Sequence, residues 1–184
     1  MKRAFDLVLA LFALMVLAPV LLLAALAVLL ESGPPVLFDQ VRVGLGGREF
    51  RMYKFRSMMK NAAALGSYHT AAGDPRITRV GAFLRRTSID ELPQLLNVLA
   101  GDMSLVGPRP DVPAQRTLYS ERDWAQRCSV RPGITGLAQA LLRSEATQEQ
   151  RLSLDLRYAR EHSVWLDLRI LGRTVARLSG KGSN

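Results

Sequence analysis

Between Leu7 and Leu30 the chain reads LVLALFALMVLAPVLLLAALAVLL, 24 residues without a charge. A helix on the surface of a water-soluble protein needs a polar face, and this run has none. The segment therefore attaches the chain to a membrane. A straight helix over it measures about 36 Å, enough to cross a hydrocarbon core of roughly 30 Å. Pro19 stands near its middle, lacks the N–H that would bond Met15, and leaves 12 apolar residues before it and 11 after it. Each arm then reaches only about 16 to 18 Å. Three geometries compete: a kinked crossing, a cleaved signal peptide with Ala25-Leu26-Ala27 at its cleavage site, and a re-entrant helix that enters one leaflet, bends at Pro19 and leaves on the side it entered. Lys2 and Arg3 precede the run, and Arg42, Arg48, Arg51, Lys54, Arg56 and Lys60 follow it against only Asp39 and Glu49. Basic residues on both flanks place both on the cytoplasmic side and favour the re-entrant form.

At 184 residues the chain has room for about one domain beside this segment. The expected division is a membrane helix-break-helix over 1–31, a cytoplasmic catalytic domain over 32–178 and a polar tail over 179–184. One cysteine, Cys128, forms no intramolecular disulfide, which suits a reducing compartment. Basic residues number 25 against 16 acidic, and only four of them are lysine. Arginine carries a rigid fork of donors matched to phosphate and carboxylate, so the partners are anionic: nucleic acid, lipid headgroups or a nucleoside diphosphate.

Glu31-Ser32-Gly33-Pro34-Pro35 breaks the chain out of the membrane element. A short strand at Val36-Leu37-Phe38, a turn at Gly44-Leu45-Gly46-Gly47 and a second strand from Phe50 to Met58 read as a hairpin. The turn matches neither a dinucleotide fingerprint nor a P-loop. Helices are expected at Val80–Arg86, at Ser88–Leu99 with Leu92, Leu95, Leu96 and Leu99 on one face, at Gln115–Cys128 and at Glu145–Glu161. The Gly/Pro stretches at 101–113 and 131–136 read as ordered loops, and 61–72 as a loop after a short helical piece. Ser163–Leu178 spaces Arg169, Arg173 and Arg177 four apart, with Leu168, Leu171, Val175 and Leu178 on the other side and Trp165 near its start. Such a helix either lies in the membrane interface or is an ordinary amphipathic surface helix. The fold class is mainly α with a small β-hairpin, a proline-broken re-entrant helix and interfacial amphipathic helices.

The sharpest chemical feature is TSIDELPQL at 87–95. Ser88 and Glu91 have capping-box spacing, so a purely structural role is open. Pro93 favours a register in which Asp90 is the cap, since the proline then falls where no intrahelical bond is lost. A carboxylate at a helix start stays ionised and can act as a nucleophile, while Glu91, about 100° round the helix, can hold a metal. Facing a diphosphate, two carboxylates need cations, and Mg²⁺ suits carboxylate and phosphate oxygen. Arg109 lies in Gly107-Pro108-Arg109-Pro110, where prolines limit the backbone. Lys54, Arg56, Arg76 and Arg131 supply further candidate phosphate contacts. His69, His162 and Cys128 show no metal or nucleophile spacing and read as structural.

The segments KRAFDLVLA, FDQVRVGLGGREFRMYKFRSM, DPRITRVGAFLRRTSIDELPQLLNVLAGDMSLVGPRP, RPGITGLAQ and DLRYAREHSVWLDLRIL follow one another in an order that resembles the small monotopic phosphoglycosyl transferases, the bacterial sugar transferase family. The resemblance covers nearly the whole chain. It implies transfer of sugar 1-phosphate from a nucleoside diphosphate sugar, usually a UDP-sugar, to undecaprenyl phosphate, with release of UMP. It further implies Asp90 as covalent nucleophile, Glu91 as Mg²⁺ ligand, and Arg109 and Lys54 beside the phosphates. The expected location is the cytoplasmic face of the bacterial inner membrane, with both termini cytoplasmic and anionic lipids as neighbours. The family's re-entrant helix breaks at Ser-Pro, whereas this chain has Ala18-Pro19.

Two other functions are weighed against this one. A Mg²⁺-dependent pyrophosphatase or lipid phosphate hydrolase would use the same Asp90 with water as acceptor. A membrane-tethered nucleic-acid-binding protein suits the charge, but no recognition module is present and the arginines are scattered through loops, so nucleic acid is not expected as a partner.

Overall fold

The computed structural model describes residues 1–62, 74–142 and 147–178. His69 and most of the loop expected at 61–72 lie outside them. Helix α1, Lys2–Ser32, runs unbroken through Pro19 and closes at Gly33 with φ 68°. The expected interruption at the proline is therefore absent as a gap in the helix; a proline deletes one ladder bond, and its neighbours keep theirs. Among the described residues α1 is the one helix long and apolar enough to cross a membrane, with a mean hydropathy of 3.0 over its best window.

One face of α1 docks on the rest of the chain at both ends. Ala10 is buried in a core with Met52, Leu95, Val98, Met103, Val106, Tyr158 and Ile170, and Ala24 and Val28 pack with Phe55 and Leu84 in a second cluster. Between these footholds Met15, Val16 and Val20 stand exposed. The start of α1 is also tied to the domain. Lys2 Nζ pairs with the buried Asp167 carboxylate, and Asp6 accepts from Ser104 Oγ at 2.9 Å and the Leu105 N–H at 3.2 Å.

Strands β1, Leu37–Val43, and β2, Glu49–Phe55, form the expected antiparallel hairpin, pairing from Leu37 opposite Phe55 to Val43 opposite Glu49. Gly46 and Gly47 take φ of 65° and 78°, which the turn requires and which glycine adopts without a Cβ penalty. The first strand is longer than expected because its register is set by this turn and by cross-strand bonding; most of its residues are exposed, so hydrophobic alternation does not mark it.

Helix α2, Arg79–Thr87, ends at Ser88 in the left-handed region, φ 57°. A 3-10 turn, Ile89–Glu91, leads through Pro93 into α3, Gln94–Ala100. Neither expected capping register holds. Ser88 closes α2 instead, and Pro93 sits just before α3, where its missing N–H is harmless. This break also rotates the expected face: Gln94, Leu95, Asn97 and Val98 are buried, while Leu96 is exposed. Asn97 ties α3 to β2, accepting from the Tyr53 N–H at 3.0 Å and donating to Arg51 O at 2.7 Å.

Strand β3, Ser104–Val106, and β4, Gly133–Thr135, pair in parallel inside the two stretches that read as loops. A Cβ on Gly133 would fall 2.0 Å from Gly107 N, so this backbone approach requires glycine. The remaining helices are α4, Glu121–Arg127; α5, Leu137–Leu141; α6, Gln148–Glu161; and α7, Val164–Leu178. On α7 the core side is Asp167 and Ile170; Trp165, Leu168 and Val175 are exposed as an apolar stripe. Arg177 bonds Gln139 O and Leu142 O.

Candidate active site

Asp90 and Glu91 occupy the 3-10 turn between α2 and α3, pressed against the end of β2. Lys54 Nζ, from β2, donates to Glu91 Oε1 at 2.7 Å, and Arg109 Nη2, from the loop after β3, donates to the same oxygen at 3.0 Å. Burial by itself would raise the Glu91 carboxyl, but Arg109 and Lys54 outweigh it and hold the group at about 2. Lys54 shifts downward: its burial is the largest influence and Arg109 repels it, while Glu91 pulls it back. One carboxylate shared by two cations explains the asymmetry, since each cation meets the other as well as the anion.

Asp90 is 8% exposed. Burial moves its carboxyl upward, opposed by Lys54 and Arg85 and reinforced by Glu91. The expected lowering of this carboxyl by a helix start does not operate here. The turn is no α-helix N-terminus, and desolvation dominates. Arg85, five positions before Asp90 and across the left-handed bend at Ser88, escaped the sequence reading; its charge opposes the rise of the Asp90 carboxyl. Arg85 is steadied by an Nε–H bond to Ser57 Oγ at 2.9 Å.

A divalent cation shared with a diphosphate asks the protein for only one or two carboxylates, because phosphate oxygens and water complete its shell. The donors here fit. Both cations bond Glu91 Oε1, leaving Oε2 for another partner, and Asp90 is adjacent. Among the described residues no group of three or more His, Cys, Asp or Glu side chains converges.

The bacterial sugar transferase family model matches residues 1–181. The chain belongs to that family. It is 48% identical to the UDP-glucose:undecaprenyl-phosphate glucose-1-phosphate transferase of Caulobacter vibrioides over 96% of this chain and 69% of that protein. Identity to the protein of the same name in Escherichia coli is 47%, over 95% of this chain but only 39% of the relative. The exopolysaccharide production protein PSS of Rhizobium leguminosarum is 48% identical, over 99% of this chain and 98% of its own length.

This sugar transferase brings together four of the residues expected at its site: Lys54, Asp90, Glu91 and Arg109. Three other expected arginines bond groups outside these four. Arg56 is 7% exposed and donates to Ser32 O and Gly33 O at the end of α1. Arg76 pairs with Asp74 and reaches Ala62 O. Arg131 bonds Gly101 O at 2.8 Å and lines a depression of about 460 Å³ beside the hairpin turn. Cys128 is buried, and burial pushes its thiol up, as suits a structural residue. His162 contacts Ala159 O at its helix end.

Glu91 couples stability to pH. Its native carboxyl lies below the ordinary 4.5, so the stabilisation is fully present above that pH and is lost as pH falls toward 2. The difference amounts to at most roughly 3 kcal/mol. Melting in detergent between pH 5 and 2 should therefore fall more steeply for the native sequence than for Glu91→Gln. Parallel acid limbs would show that the Lys54 and Arg109 contacts add nothing to stability.

Proposed function

We propose that this sugar transferase moves sugar 1-phosphate from a nucleoside diphosphate sugar, a UDP-sugar, to undecaprenyl phosphate through a covalent intermediate on Asp90. The observation that carries this reading is a buried carboxylate next to a second one braced by Lys54 and Arg109. In the first step an Asp90 carboxylate oxygen attacks the sugar-bearing phosphorus. The bridging P–O bond to the inner phosphate breaks, and UMP departs with the bridging oxygen. In the second, an oxygen of undecaprenyl phosphate attacks the same phosphorus, the acyl phosphate bond breaks, and Asp90 regains its carboxylate. Lys54 and Arg109, already oriented by Glu91, meet the phosphate oxygens as they approach. Glu91, with Asp90 beside it, would hold Mg²⁺, which when bound offsets phosphate charge.

The membrane geometry belongs to the same proposal. One side of α1 docks on the domain while Val8, Leu11, Met15, Leu22 and Leu26 stand exposed along its length, and basic residues flank the apolar run at both ends, which supports a helix held in one leaflet with Pro19 at its deepest part and both termini cytoplasmic. On α7, the exposed Trp165, Leu168 and Val175 suit the interface with anionic lipids at the inner membrane. A site at that surface lets a soluble donor meet a lipid acceptor, as the first committed step of exopolysaccharide assembly requires.

Purified protein in detergent with Mg²⁺ and a panel of UDP-sugars tests this. Sustained UMP release should require undecaprenyl phosphate, and donor alone should leave a sugar phosphate adduct visible by intact-protein mass spectrometry. Sustained release of nucleotide and free sugar phosphate without the lipid would identify a hydrolase instead.

A further inference from the structure

The Arg109 loop has an unusual anchoring problem. Pro108 and Pro110 flank Arg109, so neither neighbour has an N–H to give, and the loop can be held chiefly through its carbonyls. Carbonyls need donors, and two arginines that the sequence reading did not single out supply them. Arg127, at the end of α4, donates through Nη2 to Arg109 O, pairs through Nη1 with Asp111 Oδ2 at 2.7 Å, and donates through Nε to Asp155 Oδ2 at 3.0 Å. Arg42, on β1, donates through Nη1 to Pro110 O at 3.0 Å. The Val43 N–H closes the set on Asp111 O at 2.9 Å.

We infer that Arg127, assisted by Arg42, is a positioning residue for Arg109: the two guanidiniums hold the loop backbone at Arg109 and Pro110, and with the Val43 N–H on Asp111 three successive carbonyls are fixed so that the Arg109 side chain is presented to Glu91. The inference rests on the reading of Arg109 as a phosphate-facing group. Arg109 itself is half exposed and has a single hydrogen bond to Glu91, so its aim depends on the backbone it hangs from. Arg127 is suited to the task by chemistry as well as by place. Its three donor directions serve three acceptors at once, which a lysine ammonium on a flexible stem does not reproduce. It is 6% exposed and lies against the Tyr119 ring at 5.5 Å, so the fork has little freedom to turn. Asp155 anchors it from α6. Burial raises that carboxyl to about 6 despite Arg127, showing how dry the anchor is. Arg42 adds positive charge behind Arg109; burial lowers its pKa, Arg109 lowers it as well, and Asp111 and Glu91 pull it back.

A double-mutant cycle on transfer kinetics separates positioning from general stability. Arg127→Lys should lower kcat/KM for the donor by about tenfold, with the same loss in the rate of adduct formation from donor alone. In an Arg109→Ala background the further loss on adding Arg127→Lys should be under about twofold, since there is no longer a side chain to aim. Arg42→Gln, on the half-buried side of the loop, should show the same coupling and serves where Arg127→Lys fails to fold. Losses that multiply independently in the foldable pair would overturn the clamp. Wild-type transfer by Arg109→Ala alone would instead overturn the reading of Arg109 on which it rests.

Discussion

Asp90→Asn is expected to abolish transfer, by at least about a thousandfold, and to leave no sugar phosphate adduct when the protein is incubated with donor alone. The amide keeps the size and shape of the carboxylate but lacks the anionic oxygen that would bond to phosphorus. The same substitution should leave the protein as stable as before, or more so. Burial raises the native Asp90 carboxyl, so ionising it opposes folding at any pH above its unfolded value, and a neutral side chain removes that penalty. Melting in detergent at pH 7 reads this directly. Activity lost together with stability would place Asp90 among the structural residues; activity retained would remove it from the chemistry.

Gly133→Ala should have the largest effect on the fold, at least about 3 kcal/mol of destabilisation. The added carbon would sit 2.0 Å from Gly107 N, 2.3 Å from Thr135 O and 2.6 Å from the Val106 carbonyl carbon, all backbone, with no flexible side chain to move aside. Relief requires parting β3 from β4. That ladder carries the chain into Gly107, whose N–H bonds Thr135 O at 2.9 Å, and from there into the Arg109 loop. Transfer should therefore decline with stability, and a wild-type melting temperature for Gly133→Ala would contradict the close approach itself.

Much of the site was legible because its signals are local. Asp90 and Glu91 are neighbours, Arg109 is framed by prolines, and Lys54 sits in a strand that follows a four-residue turn containing three glycines. Arg42, Arg85 and Arg127 were not legible. Arg42 and Arg127 earn their places through backbone carbonyls of Pro110 and Arg109, 68 and 18 residues away in the chain, and no spacing rule reports a partner chosen by how two elements meet. Arg85 depended on a single left-handed residue, Ser88, that propensity would not assign.

What the sequence by itself determined is therefore what short-range physics determines. A 24-residue uncharged run excludes a soluble helix, a glycine-rich turn between strand-like segments makes a hairpin, and breaker clusters at 101–113 and 131–136 set aside ordered, non-helical backbone. Only the tertiary structure decided that those two breaker stretches pair as parallel strands, since pairing is a property of two segments about 29 residues apart and not of either one. It likewise decided which face of α3 is buried, because the turn at Ile89–Glu91 resets the helical phase. The start of α1 docks on the domain for a related reason: Lys2 reads as a membrane flank until Asp167, from far along the chain, pairs with it, and Asp6 gains its partner only when Ser104 arrives.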